Sequence, residues 1–154
     1  MKRQVTAIGL ATFSAFSLLI SQFAEATPTR VTITDRENNS RQTPQWIGTL
    51  KPNTIYTVNG SLGNRQSDGQ IDLVDNYRFR ISKAGRYVFA LGGGAKAGSA
   101  ELRLYKTTTL IANKKPAQPI DMVLQPGTYR LEVFRTPFAQ GSFSYGTSII
   151  TPQS

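Results

Sequence analysis

An antiparallel, jelly-roll-like β-sandwich is the fold class this sequence predicts, and three observations predict it. Apolar residues recur at every second position, and no stretch sustains the i, i+3, i+4 pattern of a helix. Gly, Pro, Asn and Asp interrupt the alternation about every 8 to 12 residues. The expected body is all-β, with about nine short strands behind an N-terminal signal helix that is removed on export.

The signal comes first along the chain. Lys2 and Arg3 precede a mostly apolar stretch, Val5 to Ile20, diluted by Thr6, Gly9, Thr12, Ser14 and Ser17, and Ala24-Glu25-Ala26 carries small residues where a signal peptidase reads them. A membrane anchor needs about 20 strongly apolar residues. Residues 1–26 are therefore read as a secretory signal peptide, and the mature chain as residues 27–154, with no membrane span after cleavage. Without cysteine the chain carries no bacterial lipid anchor, so its expected destination is the periplasm, the cell surface or the medium.

The mature chain opens with Val31 and Ile33 on one strand face, followed by a polar loop, so residues 27–45 form an N-terminal strand and loop. The sandwich is expected over 46–150, with 151–154 as a tail. Trp46 to Leu50 reads as a strand with Trp46 in the core, and Ile55 to Val58 as a strand ending in the hairpin signal Asn59-Gly60. In Tyr77-Arg78-Phe79-Arg80-Ile81 the apolar residues point one way and the arginines the other, as in a strand with one wet face. Tyr87, Phe89 and Leu91 make the next buried set, then Leu102 and Leu104, then Leu110 to Ala112. Ile120, Met122 and Leu124 share a face, Gln125-Pro126-Gly127 makes a turn, and Tyr129, Leu131 and Val133 follow. Phe143, Tyr145, Thr147 and Ile149 line the last strand. Tyr56, Tyr105 and Phe134 fall off the apolar faces and are expected to point outward.

Composition removes whole classes of chemistry. The 154 residues contain neither histidine nor cysteine, which excludes Ser-His-Asp triads, Cys-His pairs, zinc sites of the usual ligands and disulfides. The charge is 18 Lys plus Arg against 9 Asp plus Glu. Such an excess favours anionic partners.

From Asp75 onward the residues carry a pattern. Asp75-x-Tyr77-x-Phe79, Gly85, Ala100-Glu101-Leu102-x-Leu104-Tyr105, Leu124-x-Pro126-Gly127-Thr128-Tyr129 and Val133 resemble the bacterial pre-peptidase C-terminal domain family, with Ile47-Gly48-Thr49-Leu50 as its leading strand. The likeness covers roughly 46–150. It implies a jelly-roll-like sandwich, usually appended to secreted peptidases and other exported enzymes, with relatives that bind collagen or polysaccharide and some that hold calcium. Two departures stand out. Where the family often has Asp-Ala-Asp-Leu, this chain has Ser99-Ala100-Glu101-Leu102, which weakens any calcium site there, and 128 residues leave no room for a peptidase domain.

Three sets of residues are candidates for function. Arg78, Arg80, Arg103 and Arg130 occupy outward positions, and if their strands are neighbours they form an arginine stripe suited to an anionic polysaccharide or to an envelope or extracellular protein, with nucleic acid not expected outside the cell. The alternative is a solvated sheet face that keeps the protein soluble. Asp68, Asp72 and Asp75 could supply oxygens to calcium, with turn chemistry as the plainer reading; no other cofactor is implied. Glu101, Glu132, Asp121 and the Asp68 to Asp75 group are the only material for a carboxylate-dependent hydrolase, and Glu132 reads more simply as a solvated partner of a neighbouring arginine. The glycine-rich Gly92 to Ser99 lacks the Gly-Lys-Ser/Thr ending of a phosphate loop. A non-catalytic binding or accessory module is the expected function. A structural envelope domain packing through outward aromatics is the alternative, with the hydrolase behind it.

Overall fold

The computed structural model describes residues 27–36, 42–66, 69–92, 99–115 and 118–153. The signal segment 1–26, Asp68 and residues 93–98 of the glycine-rich loop lie outside them. Ten strands form: β1 (Thr29–Thr34), β2 (Gln45–Leu50), β3 (Thr54–Leu62), β4 (Val74–Ile81), β5 (Gly85–Gly92), β6 (Ala100–Lys106), β7 (Thr109–Lys114), β8 (Ile120–Leu124), β9 (Gly127–Arg135) and β10 (Phe143–Ile150). They make two five-stranded sheets, β1-β3-β10-β5-β8 and β2-β4-β9-β6-β7, and no helix occurs among the described residues. The all-β sandwich is as expected. Its pairings are antiparallel except at one edge of each sheet, where β1 runs parallel to β3 and β2 parallel to β4.

The alternation explains the core. Tyr77, Phe79 and Ile81 of β4, Leu102 and Leu104 of β6, and Tyr129, Leu131 and Val133 of β9 are all buried from the second sheet. They meet Tyr87 and Phe89 of β5, Val58 and Leu62 of β3, and Ile149 of β10 from the first. Phe79 links the layers, its ring 5.8 Å from that of Phe89 across the sandwich and 6.0 Å from that of Tyr129 on its own sheet. Each such burial contributes about 1.5 to 3 kcal/mol before the entropy of ordering is set against it. Two tyrosines also tie down the turns that precede their strands, Tyr87 donating to the Lys83 carbonyl at 2.9 Å and Tyr129 to the Gln125 carbonyl at 2.7 Å.

Three expectations are corrected. Trp46 is 54 % exposed. Between Trp46 and Gly48 the pairing with β4 slips by one residue, so that Trp46 lies opposite Arg78 and Gly48 opposite Phe79. This bulge, closed by Gly48 at φ +101°, reverses the phase of the strand, keeps Ile47 against the core and turns Trp46 outward. Asn59-Gly60 is not a hairpin turn, since β3 runs straight through it and pairs with β10 up to Leu62. Gly60 is required there by close approach: a Cβ at this position would lie 2.6 Å from Cζ of Tyr145. Gly60→Ala is expected to cost about 1 to 3 kcal/mol by overpacking, readable in urea denaturation; unchanged stability would contradict this reading. Finally, Tyr56 is buried, its hydroxyl accepting from the Lys51 backbone N–H at 2.9 Å.

Candidate functional site

The outer face of the β2-β4-β9-β6-β7 sheet carries the four candidate arginines on neighbouring strands. Trp46 of β2 lies opposite Arg78 of β4, Arg78 opposite Arg130 of β9, and Arg130 opposite Tyr105 of β6. The guanidinium of Arg130 sits 4.3 Å from the Tyr105 ring, and that of Arg78 is 6.0 Å from the Trp46 ring. Arg80, two residues along β4, lies opposite Thr128 and is exposed. Sequence alternation thus placed these arginines outward, and the topology makes neighbours of their strands. Among the described residues, none of Arg78, Arg80 and Arg130 forms a salt bridge.

Arg103 behaves differently. It lies opposite Glu132, spans to Glu101 on its own strand, and stacks over Phe134 with its guanidinium 3.9 Å from the ring. It donates to Glu132 Oε1 at 3.2 Å and from Nε to Glu101 Oε1 at 2.7 Å. Glu132 is fully buried beneath it, which corrects the expectation of a solvated carboxylate. Among the described residues, the stripe therefore has three arginines without a salt bridge and a fourth whose charge is held by two glutamates. Both glutamates proposed for hydrolysis hold that arginine, and Asp121 lies on the other sheet, bound to Arg86 at 2.6 Å. Tyr105 and Phe134 do point outward, each under a guanidinium, so they do not present a bare apolar patch.

A pocket of about 420 Å³ opens over this face. Arg78, Thr128 and Arg130 line it together with Gln42 and Pro44, which precede β2, and the Thr107-Thr108 turn between β6 and β7. Among the described residues, no carboxylate lines it.

The acidic candidates are placed elsewhere. Asp75 is the first inward-facing residue of β4 and is buried, its Oδ2 accepting from the Tyr145 hydroxyl at 2.6 Å. Tyr145 contacts the Tyr77 hydroxyl, and Tyr77 donates to Asp35 Oδ1 at 2.9 Å. If both carboxylates were ionised, each would take a phenol proton and none would remain between the two phenol oxygens. A proton on Asp75 completes the chain by reversing the first bond, so that Asp75 donates to the Tyr145 oxygen, Tyr145 to the Tyr77 oxygen and Tyr77 to Asp35. Burial accordingly raises its pKa to about 8, with the negative charges of Asp35 and Asp72 adding to the effect against the Tyr145 hydrogen bond. A carboxyl that keeps its proton is a poor ligand for calcium. Asp72 is half-buried before β4, its carboxyl also shifted upward by desolvation, and its backbone bonds Asn64 and Gly63. No group of three or more acidic, His or Cys side chains suited to a metal comes together among the described residues.

No family model and no curated protein matches the chain. Among solved structures, the pre-peptidase C-terminal domain of a collagenase from Bacillus anthracis aligns over 75 % of this chain and 99 % of its own, with a TM-score of 0.54 and 17 % identity. The fold is that of a pre-peptidase C-terminal domain. The likeness seen in Asp75-x-Tyr77-x-Phe79 and Pro126-Gly127-Thr128-Tyr129 thus reflects the same architecture, and in this chain those residues supply Tyr77, which bonds Asp35, and Tyr129, which ties down the turn before β9. An Aeromonas hydrophila periplasmic inhibitor of g-type lysozyme, PliG, aligns over 80 % of this chain and 97 % of its own at 12 % identity and a TM-score of 0.44.

Proposed function

We propose that the mature chain is an exported, non-catalytic binding module that holds an anionic polysaccharide on the outer face of the β2-β4-β9-β6-β7 sheet. One observation carries this: three arginines on the adjacent strands β4 and β9, Arg78, Arg80 and Arg130, share a face with no salt bridge to an acid among the described residues, while Trp46 is turned out beside them. Guanidinium forks recognise carboxylate and sulfate, and an exposed indole offers a surface to a sugar ring. Among the described residues, the opposite sheet has no such array: Arg86 is paired with Asp121 and Arg30 stands apart on the edge strand β1. A fold that occurs as a domain of a collagenase suits an accessory role, and the reading of 1–26 as an export signal supports a module that meets envelope and matrix polymers.

Retention of the 27–154 protein on an immobilised uronate or sulfated polysaccharide is expected at low ionic strength and is expected to weaken steeply toward physiological salt. Arg78→Ala and Arg80→Ala are each expected to lower affinity about tenfold while leaving stability within about 0.5 kcal/mol. Retention that ignores both salt and these substitutions would overturn the reading in favour of a protein partner held through apolar contacts.

A further inference from the structure

We infer that the pocket over Arg78 and Arg130 is a subsite for one oxyanion, the carboxylate, sulfate or phosphate of a single sugar unit; this rests on the binding face proposed above and names what that face reads.

The volume, about 420 Å³, lies in the range of small-molecule sites and suits one ring with its charged substituent rather than a length of polymer. Its polar lining is weighted toward donors: two guanidiniums, the Gln42 amide and the hydroxyls of Thr107, Thr108 and Thr128. Arg130 Nε is buried without a hydrogen-bond partner among the described residues. An unmade bond of this kind costs about 1 to 3 kcal/mol. Arg78 and Arg130 also stand directly opposite each other, and like charges across a strand pair repel. An oxyanion between them offsets both costs at once. The turn that closes the pocket is itself unusual, because Thr107 has φ +56°, a conformation β-branched residues rarely adopt and one often retained at binding sites. Arg80 does not line the pocket and Arg103 is neutralised, so the subsite divides the four arginines: Arg78 and Arg130 read the charged group, and Arg80 contacts the rest of a polymer.

The test is a titration of the 27–154 protein with sodium glucuronate, sulfate and phosphate against sodium chloride at matched ionic strength, followed by NMR at the Arg Nε–H resonances, with glucose as the neutral control. At least one of the three anions is expected to shift Arg130 Nε–H saturably, and glucose and chloride are expected not to. Which anion binds tightest identifies the group. Arg78→Gln and Arg130→Gln are each expected to weaken that binding about tenfold or more, whereas Arg80→Gln should change it less than about twofold. Arg130→Lys, which keeps the charge and loses the fork, is expected to restore only part of the affinity. Should Arg130→Gln fail to fold, the wild-type Nε–H shift and the exposed Arg78→Gln variant still decide the matter. Sulfate stabilises proteins generally, so a rise in melting temperature that persists in Arg78→Gln counts against the subsite. No saturable shift with any anion overturns it. Polymer retention without small-anion binding removes the subsite and leaves the module, while small-anion binding without polymer retention does the reverse.

Discussion

Replacing Arg103 by Ala is expected to lower the unfolding free energy by about 3 kcal/mol, the largest loss among the outward-facing arginines. The substitution leaves Glu132 fully buried without the guanidinium that bonds it at 3.2 Å, and removes the group stacked 3.9 Å over Phe134. Breaking a buried pair from one side costs about 3 to 5 kcal/mol; the lower end applies because Arg103 keeps 21 % of its side chain in solvent. In a domain of this size that is a fall in melting temperature of roughly 10 °C. A double replacement, Arg103→Met with Glu132→Leu, is expected to recover much of the loss, because it removes both charges rather than one. Thermal melts of the two variants check this. An Arg103→Ala protein as stable as the parent would mean that the Glu101, Glu132 and Arg103 cluster is solvated and free to serve as a site.

The second large effect is on pH. Asp75 titrates near pH 8 in the folded protein and near 4 when unfolded. Below about pH 4 both states hold the proton. Between about 4 and 8 the folded state binds more protons than the unfolded one, so stability falls as pH rises and levels off above about 8. The loss across that span is on the order of 5 kcal/mol. The groups that face Asp75 are Tyr145 from β10, Tyr77 from β4, and Asp35 and Asp72 from the segments beside them; the two aspartates act in the same direction, and the chain has no histidine to confuse the slope. Asp75→Asn puts a permanent N–H donor where the proton sits. It is expected to flatten the dependence and to leave the variant more stable than the parent at pH 9. Urea denaturation at pH 5, 7 and 9 decides it, and a slope that survives in Asp75→Asn would assign the effect to another group.

Much of this was legible because the chain is regular. In Tyr77 to Ile81 the alternation alone puts Arg78 and Arg80 outside and three large side chains inside. The same parity places Asp75 inward, since it is two residues before Tyr77, although the sequence does not say that Tyr145 waits across the sandwich to bond it. Parity also puts Arg103 and Glu132 on outer faces. It cannot show that they oppose each other or that stacking over Phe134 roofs the carboxylate from water, because register between distant strands is set by the whole sheet. Trp46 was misplaced for a local reason. A regular strand would carry Trp46, Gly48 and Leu50 on one face, and the bulge moves Trp46 to the other. The available signal was Gly48 itself, since a glycine within a strand pattern marks a bulge. Asn59-Gly60 misled in the opposite sense, because a glycine needed for the passage of the Tyr145 ring looks the same in sequence as one needed for a turn.

The binding face is tested most directly by NMR mapping of the isotopically labelled 27–154 protein titrated with a uronate oligosaccharide at low salt. Perturbations are predicted at the Trp46 indole, at Arg78, Arg80 and Arg130, and at Thr107 and Thr128 beside the pocket. Shifts confined to the outer face of the other sheet, at Val88, Ser144 and Ser148, or no shifts at all, would contradict the assignment of this sheet as the binding surface.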